Sequence, residues 1–151
     1  MEEQEYKATY QEVNPFPCPF GKAILSSRCG CQHFQRVNIA EREAAACRVP
    51  EAHTTCTFLL DKLYQNAQFA LKLPKLDAPL PHAKAMKVQC GGLLGLKKVL
   101  HFSTPEDETK QVTNIYAIVT QALKEFESIE QLPYQEIIRD VVHYVAREKR
   151  R

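Results

Sequence analysis

Between residues 51 and 72 the apolar positions recur at three- and four-residue steps: Ala52, Cys56, Leu59, Leu60, Leu63, Ala67 and Ala70. That spacing is one stripe of a 3.6-residue period, so it predicts an amphipathic helix with Cys56 on the buried side. Asp61, Lys62, Gln65, Asn66 and Lys72 fall on the other faces, and Pro50 suits the first helical position. The same period returns later in the chain. Val112, Ile115, Val119, Ala122 and Phe126 predict a helix over 105–128, introduced by the hydroxyl, proline and acids of Ser103-Thr104-Pro105-Glu106-Asp107-Glu108. Ile137, Ile138, Val141, Val142 and Val145 predict a last helix over 134–149, opened by Leu132-Pro133.

The rest of the chain is patterned less clearly. Residues 1–20 have no stripe, and Asn14-Pro15-Phe16-Pro17-Cys18-Pro19-Phe20 reads as a stiff, extended arm across the surface. A short helix is expected from Gly21 to Arg28, broken at Gly30. Gln32 to Cys47 is rich in helix formers, above all Ala40-Glu41-Arg42-Glu43-Ala44-Ala45-Ala46, and is read as another helix. Pro74, Pro79 and Pro81 make 73–81 a loop. A helix beginning at His82 is expected to be interrupted at Cys90-Gly91-Gly92, after which Leu93, Leu94, Leu96, Val99 and Leu100 resume, with Lys97 and Lys98 outside. No alternating strand pattern, two-residue hairpin signal or internal repeat is evident. The expected fold is all-α: one domain of five or six helices over 1–151, with a Pro-rich arm (1–20), a cysteine-containing half (21–102) and a C-terminal helical pair (103–151).

A chain of 151 residues is long enough to bury a sizeable core. No apolar run approaches the ~18–20 residues of a membrane span. The acidic, polar start is the reverse of a secretory signal, so a cytoplasmic location is expected. A formal net charge of +2 does not by itself call for nucleic acid. In a reducing compartment the six cysteines are not expected to form structural disulfides.

Those cysteines are the chemistry-bearing feature. Cys18, Cys29, Cys31, Cys47 and Cys56 crowd the front of the chain, and Cys90 stands apart. With no Cys-x2-Cys pair, zinc-ribbon and thioredoxin-type motifs are poor matches. A composite site fits better, because an iron–sulfur cluster needs four thiolates around it but no fixed local spacing. Cys18 lies between prolines, Cys29 and Cys31 flank Gly30, Cys47 ends one segment and Cys56 is in the next. Cys90 precedes two glycines that would let the backbone approach a bulky group. Cys18, Cys47, Cys56 and Cys90 are therefore the expected ligands of a [4Fe–4S] cluster, with Cys31 as substitute or fifth participant. Zinc is the alternative metal, with His33 or His53 as further ligands, and plain buried thiols are the third reading.

Nothing else reaches the same level. There is no His-Glu-x-x-His, no nucleophile–base–acid arrangement and no phosphate loop. Arg28, Arg36, Arg42 and Arg48 share the front half and could offset a cluster's negative charge. The basic tail, Arg147-Glu148-Lys149-Arg150-Arg151, reads as a solvated helix end. The expected function is a small iron–sulfur protein in electron transfer or redox sensing, with a redox partner or larger complex as its partner. A helical adaptor with zinc or free thiols is the alternative. A thiol enzyme using Cys29 or Cys31, activated by Arg28, ranks last.

Overall fold

A computed structural model of the chain describes residues 3–74, 80–100 and 111–145. It is mostly helical but not all-α, because a two-stranded antiparallel sheet occupies the segment expected to be helical. Strands β1 (Phe34–Ile39) and β2 (Arg42–Cys47) pair from Phe34↔Cys47 to Ile39↔Arg42, which leaves a two-residue turn at 40–41. Ala40 takes the left-handed conformation there, with φ 56°. Tertiary contact overrides helix propensity here. Ala44, Ala45 and Ala46 are all buried, and only small side chains suit a strand covered on both faces. The outer edge of β2 is covered as well. Cys18 N–H donates to Ala45 O at 3.0 Å, and Cys47 N–H donates to Phe16 O at 2.8 Å. The segment around Pro17 thus forms a bridge on the far side of β2 from β1.

The arm is also different from expectation. Helix α1 (Glu3–Val13) fills most of it, rich in Glu and Gln, and only the stretch around the three prolines is extended. Asn14 closes this helix and sends its side-chain amide to Ala45 O at 3.1 Å.

Helix α2 (Gly21–Leu25) ends in a Schellman motif. Ser27, with φ 64°, is the left-handed residue, Ser27 N–H donates to Ile24 O, and Arg28 N–H donates to Ala23 O. The next segment is clamped to the back half of the chain. Gly30 donates to Val112 O at 2.9 Å and accepts from Ile115 N–H at 2.8 Å.

Helix α3 (Pro50–Ala67) starts at the expected proline and buries Ala52, Cys56, Leu59, Leu63 and Ala67, together with Tyr64. It stops short of residue 72 because the chain folds back: the Tyr64 hydroxyl donates to Pro74 O at 2.6 Å, and Leu73 is buried beneath it. Most of the expected proline loop, 75–79, lies outside the described residues.

No break occurs at Cys90-Gly91-Gly92. Helix α4 (His82–Met86) continues through one π turn (Lys87–Gly91) into α5 (Gly92–Val99), and both glycines have helical angles. The glycines serve close packing instead. A Cβ on Gly91 would meet Val141 Cα at 2.7 Å, one on Gly92 would meet Leu63 Cδ1 at 2.7 Å, and one on Gly95 would meet Ile137 O at 2.7 Å. Lys97, expected outside, is buried, and its ammonium donates to Gln111 O at 2.9 Å.

The last elements are α6 (Ile115–Phe126), a 3-10 turn (Ile129–Gln131) and α7 (Tyr134–His143). Residues 111–114 are not helical, and the expected start signal at 103–108 lies outside the described residues. Helix α7 ends before Val145, which is 71% exposed rather than inward. The main core joins Phe20 and Ile24 to Leu59 and Leu63 of α3, Leu93 and Leu96 of α5, Ile115 and Val119 of α6, and Ile137 and Val141 of α7. No described helix is long and apolar enough to cross a membrane.

The backbone contact of α5 with α7 gives the fold a sharp test. Gly95→Ala forces a Cβ into Ile137 backbone and should destabilise by about 1–3 kcal/mol. Gly21→Ala, whose Cβ would meet only Ala45 Cβ at 3.4 Å, should change stability by less than about 0.5 kcal/mol. Denaturant midpoints at constant slope measure both. Equal effects would contradict the packing described.

Candidate functional site: two groups of cysteines

All six cysteines are free thiols, and the fold sorts them into two groups. The first is assembled from four separate segments. Cys18, between its prolines, is fixed by its own N–H on Ala45, and its carbonyl accepts from Gly21 N–H at 3.0 Å. Cys47 ends β2, with its N–H on Phe16 and its thiol donating to Val49 O at 3.3 Å. Cys31 precedes β1 in a turn closed by Phe34 N–H on Cys31 O at 3.1 Å, and Phe34 is the strand partner of Cys47. Cys56 is in the second turn of α3 on its buried face. His53, one turn earlier, bonds Pro17 O through Nε2 at 3.0 Å and ties the start of α3 to the segment that bears Cys18. A carbonyl only accepts, so Nε2 carries the proton.

The four thiols share one field. Burial pushes the Cys18 thiol up to about 11, opposed by the Phe20 backbone N–H that donates to it, and nearby Cys31 and Cys47 add to the rise. Burial pushes Cys56 up to about 12, with Cys18, Cys31 and Cys47 all contributing repulsion. Cys18 and Cys56 therefore hold their protons at neutral pH. Among the described residues, no group of three or more Cys, His, Asp or Glu is arranged to hold a single metal ion.

The second group is Cys29 and Cys90. Cys29 follows the Schellman turn, with its N–H on Ala23 O at 3.1 Å. Cys90 is in the π turn and packs with Ala23 and Met86, and Cys29 and Tyr144 lie against them. The two thiols are within hydrogen-bonding reach of each other. The Cys29 thiol donating to Cys90 favours the Cys90 thiolate, against the cost of burial, and the Tyr144 hydroxyl and the Arg28 charge favour it further. Cys29 is held protonated by the same contact and by burial. Neighbouring groups fix this arrangement. Ala23 N–H donates to buried Gln89 Oε1 at 3.1 Å, and Lys87 Nζ donates to Tyr144 O at 2.7 Å at the end of α7.

Of the expected ligands, the fold thus brings Cys18, Cys47 and Cys56 together with Cys31, and places Cys90 with Cys29. The sequence held no signal for that division, because Cys29 and Cys31 are only two residues apart and are separated by the clamp on Gly30. His33, a candidate zinc ligand, packs edge-on against Tyr116 with ring centroids 4.3 Å apart, and His53 is engaged by Pro17. No family model, curated protein or solved structure matches the chain.

The raised thiols make a prediction with a definite sign. Unfolded thiols ionise near ~8.5, so below that pH both states are neutral and stability is full. As pH rises through the folded values of about 11 for Cys18 and about 12 for Cys56, the unfolded chain has already lost its protons and folding becomes less favourable. Thermal unfolding of metal-free protein between pH 8 and pH 12 should show this alkaline loss, and Cys56→Ala should show less of it. Identical pH slopes would refute the shared burial of these thiols.

Proposed function

We propose that this chain is a small iron–sulfur protein that holds one [4Fe–4S] cluster through Cys18, Cys31, Cys47 and Cys56 and acts in electron transfer or redox sensing. One observation carries the reading. Four cysteines from four segments lie near enough to influence one another electrostatically, with Cys56 buried and the other three half-buried. A [4Fe–4S] cluster is held by four cysteine thiolates and needs no fixed local spacing. The donor set present fits such a group in kind.

Each neighbour has a part. The Phe20 N–H directed at Cys18 sulfur stabilises negative charge there. Cys56 is buried, whereas Cys18, Cys31 and Cys47 are only half-buried, so one side of the site lies near the surface, as exchange with a partner requires. Burial and repulsion push the Cys18 and Cys56 thiols up, so loading a cluster would be coupled to proton release. When bound, the cluster would supply one-electron exchange.

Protein purified without oxygen should show a broad absorbance near ~400 nm and about four irons and four sulfides per chain. Cys→Ala at 18, 31, 47 or 56 should abolish it, whereas Cys29→Ala and Cys90→Ala should retain it. A colourless, iron-free preparation with six reactive thiols would sink the reading. Loss in Cys90→Ala with retention in Cys31→Ala would reject this ligand set.

A further inference from the structure

The two edges of the hairpin differ. The outer edge of β2 is taken by the Pro17 segment, through Ala45 O and Cys47 N–H. In an antiparallel pair, directly opposite residues turn their backbone groups either both toward each other or both away. Arg36 is opposite Ala45, and Asn38 is opposite Glu43, so both turn their N–H and C=O groups away from β2. Arg48 N–H on His33 O at 2.9 Å continues the same alternation. Helix α1 packs against β1, yet among the described residues none of these outward groups has a hydrogen-bond partner. Both residues are exposed. The open edge is short, because the next outward N–H, at Phe34, is already bonded to Cys31 O.

We propose that this edge pairs antiparallel with the same edge of a second copy of the chain, joining two hairpins into one sheet about a two-fold axis. A free strand edge is a template for another strand, and a two-fold pairing uses the same patch on both copies. The side chains select the register. An axis at Arg36 would set the two Arg36 side chains directly opposite, and like charges there disfavour pairing. An axis at Asn38 would draw in Ala40, which is left-handed with φ 56°. An axis at Gln35 would need the Phe34 N–H, which is taken.

An axis at Val37 meets none of these obstacles. Arg36 then stands opposite the second copy's Asn38, a neutral amide, and the two residues exchange both N–H···O bonds, an exchange that the symmetry repeats. Half-buried Val37 meets the second copy's Val37 on the other face, an apolar pair at the centre. Arg36 keeps its ion pair with Glu43, 3.3 Å away within its own hairpin. The edge is thus complementary to itself, which is why a second copy is the partner it fits. The Pro17 segments, with Cys18, stay at the outer margins of the joined sheet.

Sedimentation equilibrium of the full, reduced, metal-free chain should show a monomer–dimer equilibrium, so the outcome is separate from that of the cluster experiment. In Asn38→Lys the new ammonium faces Glu43 within the hairpin, which favours the fold, but stands beside the second copy's Arg36. Its Kd should rise about tenfold or more with the circular dichroism spectrum unchanged. Asn38→Pro removes an outward N–H that the β1–β2 ladder does not use, and should weaken the dimer in the same direction. In the unaltered chain, hydrogen exchange at the Arg36 and Asn38 amides should slow as concentration rises. A chain that stays monomeric, with both amides exchanging freely at every concentration, would overturn the proposal and leave the edge to an extended segment of another protein. A dimer as tight in Asn38→Lys as in the unaltered chain would also overturn it, since the contact would then lie elsewhere.

Discussion

The clamp on Gly30 is the contact on which the arrangement of the cysteines depends. Its N–H and C=O are both taken by the segment from Val112 to Ile115, and a Cβ at this position would stand 2.8 Å from Thr113 O. Gln32 and Asn114 reinforce it: Gln32 N–H donates to Asn114 Oδ1 at 3.2 Å, and Asn114 Nδ2 donates to Gln32 Oε1 at 2.8 Å. The residue before the clamp is directed to the π turn and the residue after it to the β hairpin. Two cysteines that are neighbours in sequence thereby serve different surroundings. The same clamp ties the front of the chain to the start of α6, whose buried face completes the core.

Helical period was a dependable guide wherever one face is buried. The stripe of α3 as far as Ala67, its proline start, Ile115, Val119 and Ala122 of α6, and Ile137 and Val141 of α7 follow from the spacing of apolar side chains, whereas Ala70, Val142 and Val145, on the same stripes, are exposed. It failed where the deciding forces are not local. The Ala44-Ala45-Ala46 run is a strong helix former, yet β1 on one edge and the Pro17 segment on the other fix it as a strand. Helix α1 is not evident in the sequence because its mostly polar run leads straight into three prolines. Gly91 and Gly92 looked like a break, but their smallness answers the close approach of α7 and α3. The cysteines were legible as chemistry but not as groups, since grouping is set by the sheet and by the Gly30 clamp.

The two thiol groups are built on opposite electrostatic logic. Around Cys18 and Cys56, burial and the neighbouring thiols disfavour the thiolate form. Around Cys90, a thiol, a phenol and a guanidinium all favour negative charge on one sulfur, and the partner thiol keeps the proton. The same side chain is thus pushed in opposite directions in the two places.

The hairpin explains how these cysteines come together without a local cysteine motif. In a Cys-x2-Cys knuckle the short loop itself brings both sulfurs to one place. Here strand pairing sets the backbone positions: Cys47 is held opposite Phe34, which is bonded back to Cys31, while the next segment out carries Cys18 one residue from the Pro17–Ala46 bridge. Helix α3 adds Cys56, because His53, one turn before it, ties the start of the helix to Pro17.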